Sequence, residues 1–112
     1  MNKILFAIVA FFVIASSSNA GGWVSINTIT KAAFNSTGFY MYGNWAVPSG
    51  NGCTNNDAVV LLSNDGNYDK AYALLLTAYT TGKKVKGWSD GCTSHDGKTY
   101  NKIRGYKYLE IE

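Results

Sequence analysis

One segment of this chain has helical periodicity, and the other patterned segments alternate as strands. Within residues 63–82, Tyr68, Tyr72, Leu75 and Tyr79 recur on one helix face, and Gly82 supplies a left-handed stop. A lone helix must lay its apolar stripe against a sheet or across the end of a barrel. We therefore predict a mainly β fold with one helix.

Five strand segments accompany this helix, at residues 23–30, 39–45, 57–62, 84–89 and 102–112, in the order β-β-β-α-β-β. Gly87 and Gly105 fall at inward positions, where glycine marks a bend or the close approach of another backbone. This combination predicts an OB-type five-stranded barrel with the helix closing one end. The alternative is an open antiparallel sheet with the helix packed on one face.

The N-terminus has the pattern of a secretory signal peptide. Lys3 precedes an apolar run over residues 4–15, and small residues follow at Ser18 and Ala20. Cleavage would leave residues 21–112 as a single domain, secreted or periplasmic, with no membrane span. The alternative is an anchor that stays attached to the membrane.

Charge and cysteine usage restrict the partners of residues 21–112. Nine basic and seven acidic side chains give a net charge of +2, too small to favour nucleic acid. In an oxidising compartment Cys53 and Cys92 should form a disulfide, closing a loop of about 40 residues worth roughly 4 kcal/mol. Free thiols and a metal site are the alternatives, but with His95 the two cysteines fit no zinc pattern, and no cofactor motif is present.

This disulfide prediction raises a geometrical difficulty. A crossover through the helix would make the third and fourth strands parallel and put Cys53 and Cys92 at opposite ends. Either the loop at residues 47–56 carries Cys53 back, or a predicted strand boundary is wrong.

Catalytic patterns are weak. The one histidine, His95, shares a short polar loop with Ser89, Asp90, Ser94 and Asp96, whereas the members of a catalytic triad usually come from separate elements. We interpret this loop as a solvated turn and expect no catalytic activity, which leaves a small hydrolase as a distant third hypothesis.

Aromatic and amide side chains dominate the positions predicted to face outward or to lie near strand ends. They are Tyr40, Tyr42, Asn44, Trp45, Trp88, Tyr106 and Tyr108. Flat rings stack on the apolar face of a sugar, and amides bond its hydroxyls. The same rings would also suit a subunit interface, which is rich in aromatic residues.

The segment "YALLLTAYTTGKKVKGW", residues 72–88, resembles the helix-to-strand segment of pertussis-like toxin B subunits, including subtilase cytotoxin B-like chains. The resemblance implies an OB-type fold, a ring of five identical subunits, a partner toxin A subunit and binding of sialylated or related cell-surface glycans. In that family the sugar site uses an aromatic residue on the strand after the helix, here Trp88, or Ser89 in strict register. It also uses a serine and an acid near the mature N-terminus; Ser25 is the candidate for the serine, and the acid has no counterpart in this sequence.

Our first hypothesis is therefore a secreted, homo-oligomeric, glycan-binding module. Its sugar-stacking rings would be Trp88, Tyr40 and Trp45, and its hydrogen-bonding groups Asn44, Ser25 and Ser89. The alternative is a small exported structural or protein-interaction domain whose aromatic surfaces bind another protein.

Overall fold

The computed structural model of the protein describes residues 21–112. These residues form seven strands and one helix: β1 (Gly22–Ile26), β2 (Lys31–Phe34), β3 (Gly38–Tyr42), β4 (Asn55–Leu62), α1 (Tyr68–Thr81), β5 (Val85–His95), β6 (Lys98–Ile103) and β7 (Leu109–Ile111). A 3-10 turn, Ser49–Asn51, precedes β4. The mainly β class with one helix is confirmed. The signal-peptide prediction falls on residues 1–20, outside the described part.

The strands form one sheet in the order β1-β5-β6-β4-β3-β2, and β7 pairs with β5 on the edge opposite β1. The prediction of a five-stranded closed barrel is wrong, because the sheet has seven strands and no ladder joins β1 to β2. The predicted strand at 23–30 stops at Ile26, and Lys31–Phe34 forms a strand of its own. The predicted strand at 102–112 is interrupted where Gly105 N donates to Asp65.

The sheet is nevertheless strongly curled. β1 and β2 lie at opposite ends of the strand order, yet only residues 27–30 separate them in the chain. When fully extended, the connection from the end of β1 to the start of β2 spans about 19 Å, whereas the two edge strands of a flat six-stranded sheet would lie about 24 Å apart. The sheet must therefore curl to bring β1 and β2 within reach of each other. Curling also lets Ala46, after β3, form a two-bond backbone bridge with Ser25 of β1, at 3.0 and 2.9 Å.

The disulfide between Cys53 and Cys92 is confirmed, with Cα atoms 5.6 Å apart. The expectation that the strands before and after the helix are parallel is wrong. β6 lies between them, parallel to β4 and antiparallel to β5, so β4 and β5 run in opposite directions. The start of β4 and the end of β5 therefore meet at one edge, which removes the geometrical difficulty.

The core lies between α1 and the inner face of the sheet. The helix buries Ala71, Leu75 and Ala78 against strand residues that include Val59, Leu61 and Ile103. Gly82 ends the helix in the left-handed conformation at φ 70°, as predicted. Tyr79, a member of the predicted apolar stripe, is exposed instead, as is its neighbour on the helix Leu76.

A buried carboxylate anchors the start of α1 to the end of β6. The side chain of Asp65 is 1% exposed and accepts hydrogen bonds from Asn67 N, Gly105 N and Arg104 Nε at 2.9, 3.1 and 3.3 Å. Arg104 also bonds Asp90 at 2.9 and 3.1 Å. Burial lowers the pKa of Arg104, but its hydrogen bond to Asp90 and the charges around it raise it overall.

Across residues 21–112, no helix combines the length and the hydropathy needed to cross a bilayer.

Candidate ligand-binding site on β1, β5 and β7

The outer face of β1, β5 and β7 gathers aromatic and charged side chains. On β1, Val24 and Ile26 are buried, so Trp23 and Ser25 point outward. Strand pairing places Trp23 opposite Trp88 and Ser25 opposite Lys86. Lys86 in turn lies opposite Glu110 of β7, so three strands contribute to one surface.

Three rings on this face form what we call the aromatic cluster: Trp23, Trp88 and Tyr108. The ring centroids of Trp23 and Trp88 are 5.2 Å apart, and those of Trp23 and Tyr108 are 5.8 Å apart, both nearly perpendicular. Trp23 is 46% exposed and Tyr108 is 50% exposed. Edge-to-face contacts hold the rings together while leaving apolar surface open to a ligand.

Two charged side chains, Lys86 and Glu110, contact rings of the aromatic cluster. Lys86 Nζ lies 4.9 Å from the Trp23 ring centroid, which places a cation over the indole. The Tyr108 hydroxyl donates to Glu110 Oε1 at 2.5 Å, and this hydrogen bond raises the pKa of Tyr108. This hydrogen bond links the Tyr108 ring of the aromatic cluster to Glu110 of β7.

A groove of about 310 Å³ adjoins the aromatic cluster. It is lined by Ser25, Ile26, Asn27, Asn44, Ala46, Lys84, Val85, Lys86, Glu110 and Glu112. The bridge between Ser25 and Ala46 brings Asn44 to the groove wall. The groove therefore offers hydroxyl, amide, ammonium and carboxylate groups beside exposed rings.

Three of the six residues predicted for ligand binding come together here. Ser25 and Asn44 line the groove, and Trp88 is half-buried within the aromatic cluster. Ser25 and Trp88 lie on paired strands, and Asn44 reaches them from the segment after β3.

The other three, Tyr40, Trp45 and Ser89, are buried, so the prediction that they contact a ligand is wrong. Trp45 is 4% exposed because its segment turns back into the core, where Nε1 donates to Met41 O at 2.8 Å. Tyr40 is 3% exposed in a second apolar cluster with Ala58, Val60 and Tyr100. Ser89 is fully buried and faces inward from β5.

Sequence reasoning missed Trp23, Lys86 and Glu110 as members of the candidate site. The signal was the alternation in β1, since buried Val24 and Ile26 require an outward Trp23. The pairing of Lys86 with both Ser25 and Glu110 is long-range and has no local signature.

The loop predicted around His95 is instead a hairpin between β5 and β6. The His95 ring packs on Tyr40 at 5.0 Å, and Asp90 is bound by Arg104 rather than by histidine. Over the described range, residues 21–112, no three His, Cys, Asp or Glu side chains are grouped to hold a metal ion.

Comparisons of the chain with known protein families, with curated proteins and with solved structures find no significant match.

Proposed function

We propose that this protein is a secreted, glycan-binding module without catalytic activity, similar to a toxin B subunit. The observation that carries the proposal is the aromatic cluster at the edge of a polar groove. Sugars expose C–H surface on one side of the ring and hydroxyls at its rim. A site that combines flat apolar surface with a few placed polar groups matches both.

The polar groups of the groove indicate the ligand chemistry. The carboxylate of Glu110 can accept bonds from sugar hydroxyls, and Asn44 and Ser25 can both donate and accept them. Lys84 and Lys86 add two positive charges to the same groove. Glu110 and Glu112 line the groove as well, so its side-chain charges balance. The two lysines can still pair with an acidic group of the ligand, which supports a glycan such as a sialylated one.

The strand connectivity supports an OB-type relationship. We interpret β1 and β2 as two halves of one broken first strand, at either end of the order β5-β6-β4-β3. The helix between β4 and β5 then occupies the position of the helix in an OB fold. The toxin-like proposal extends this to a homopentamer with an A subunit as partner, and the disulfide supports a secreted or periplasmic location.

Glycan-array binding by the oxidised protein, followed by affinity measurement on the best glycan, tests the proposal. Trp23→Ala and Trp88→Ala should each weaken binding by about 1 to 3 kcal/mol, because each removes stacking surface. Phe34→Ala is the matched control, since Phe34 is 68% exposed on β2, outside the cluster and the groove. Absence of binding to any glycan, or equal affinities for all three variants, would contradict the proposal.

A second candidate function, a structural or protein-interaction domain, is favoured by the large apolar side chains exposed elsewhere. Phe34, Leu76 and Tyr79 are 68%, 37% and 38% exposed and lie outside the candidate site. The molecular mass of the oxidised protein, measured by light scattering, distinguishes the two candidate functions. A mass of five subunits supports the toxin-like ring, whereas a monomer that binds a protein without competition from free sugar supports the alternative.

A further inference from the structure

A second cavity lies beside the disulfide. Its volume is about 340 Å³, and it is lined by Val47, Pro48, Ser49, Gly52, Cys53, Thr54, Asn56 and Asn101. None of these residues lines the groove on β1, β5 and β7. We call it the disulfide-side cavity.

A buried amide forms part of its wall. Asn101 of β6 is 1% exposed. Its Oδ1 accepts hydrogen bonds from Asn51 Nδ2 at 2.8 Å and from Ser89 Oγ at 3.0 Å. Among the described residues, no hydrogen bond satisfies its Nδ2. Because the oxygen is held by two donors, the unused N–H groups of Asn101 are available to an acceptor in the cavity.

Two further polar side chains at the cavity are free. Ser49 and Asn56 are exposed, and within residues 21–112 neither side chain makes a hydrogen bond. Val47, Pro48 and the disulfide at Cys53 supply apolar surface beside them. The cavity thus combines three free polar groups with an apolar wall.

The lining contains no ionisable side chain, since the disulfide cysteines do not titrate. A charged ligand would lose its hydration here without gaining an opposite charge, which is unfavourable. The volume lies within the range of small-molecule sites. We propose that the disulfide-side cavity is a second binding site, for a small neutral polyhydroxylated ligand about the size of one sugar ring.

In this arrangement Asn101 donates to a ligand oxygen, and Ser49 and Asn56 bond hydroxyls at the rim. Val47 and Pro48 contact the C–H surface of the ring. The site does not depend on the aromatic cluster, so either proposal can fail without the other.

The test is a titration of the ¹⁵N-labelled oxidised protein with glucose, galactose and N-acetylglucosamine, followed by NMR. The expected result is a saturable shift of the Asn101 side-chain amide with at least one neutral sugar, and a much weaker response to glucuronate. Trp23→Ala should leave this shift unchanged, whereas it removes stacking surface from the first site.

Asn101→Asp keeps the acceptor oxygen for Asn51 and Ser89 but removes the N–H donors, and should weaken binding at least fivefold. Because this change could unfold the protein, the double change Ser49→Ala with Asn56→Ala provides an independent test at the exposed rim. It should weaken binding by roughly tenfold, as expected for two lost hydrogen bonds. Asn64→Ala, at an exposed asparagine outside both cavities, is the control and should have no effect.

The proposal is overturned if no neutral sugar shifts Asn101 or the rim residues. It is also overturned if sugars shift only the aromatic cluster, if glucuronate binds equally well, or if the rim variant binds as tightly as the Asn64→Ala control.

Discussion

Replacing Asp65 with alanine should lower the free energy of unfolding by about 3 kcal/mol. The carboxylate is 1% exposed and accepts three hydrogen bonds, two of them from backbone N–H groups. Hydrogen bonds to a charged group contribute roughly 1.5 to 3 kcal/mol each, but water can replace part of this at the partly exposed partners Asn67 and Arg104. Gly105 is partly exposed too, but its N–H has no alternative protein partner within residues 21–112, so other protein contacts should not offset the loss.

Asp90→Ala is the matched comparison, because Asp90 binds the same arginine from a more exposed position. Its side chain is 33% exposed and its only hydrogen bonds to a described side chain are those from Arg104. An ion pair of this kind contributes about 1 kcal/mol or less. Urea unfolding of the oxidised protein, followed by circular dichroism and tryptophan fluorescence, gives both free energies. Equal losses for Asp65→Ala and Asp90→Ala, or a loss below about 1 kcal/mol for Asp65→Ala, would refute the reasoning from burial.

Three further predictions concern the disulfide, a close contact and a tyrosine. Reduction of Cys53–Cys92, whose cysteines are 39 positions apart, should lower the free energy of unfolding by about 4 kcal/mol, measured in urea with and without reductant. Gly87→Ala should cost about 1 to 3 kcal/mol, because its Cβ would lie 2.7 Å from the nearest side-chain carbon. Gly50→Ala, with nothing within 4 Å, should change stability by less than about 0.5 kcal/mol in the same assay. Burial, with smaller contributions from nearby acidic groups, raises the pKa of Tyr100 in the folded protein above its unfolded value near 10. The stability that Tyr100 contributes is therefore complete below about pH 10 and is lost as the pH rises through the pKa of the folded state. The Tyr100→Phe variant should therefore lose less stability than the unaltered protein above pH 10. Tyrosinate absorbance measures the ionisation, and circular dichroism measures the unfolding.

Each of these predictions has a clear contrary result. Equal urea midpoints in both redox states would mean that the unfolded chain gains little freedom on reduction. A Gly87→Ala variant as stable as Gly50→Ala would show that the neighbouring side chains move aside freely. Parallel loss of stability in the protein and its Tyr100→Phe variant above pH 10 would exclude this phenol as the group responsible.

Local sequence signals predicted the parts of the fold that depend on neighbours in the chain. The helix periodicity and the stop at Gly82 are confirmed, because both reflect contacts within one or two turns. The second half of β5 and the start of β6 were predicted as a polar loop. The turn between them has a signature in the sequence, the dipeptide Asp96-Gly97. Both residues have positive φ, at 55° and 76°, as a tight hairpin turn requires.

The candidate site shows the limit of reasoning from one strand at a time. Trp45 and Trp88 both belong to segments that were predicted as alternating strands, yet Trp45 is in the core and Trp88 is half-buried within the aromatic cluster. The difference arises because residues beyond β3 fold back to pair with Ser25 of β1. Contacts between residues so far apart in sequence leave no periodic signal, so the burial of Trp45 could not be predicted from its neighbours.

The position of β5 between β1 and both C-terminal strands has a consequence for how the chain assembles. β1 pairs with residues 85–89, so the first strand synthesised finds its partner only after about sixty more residues have been made. β6 and β7 also pair with β5, so this one strand joins β1 to both strands that follow it in the chain. Such non-local pairing is associated with folding in milliseconds to seconds rather than microseconds. A nascent chain that stops before Val85 would leave β1 without its partner strand, so β2, β3 and β4 can pair early but the sheet cannot be completed until β5 has been made.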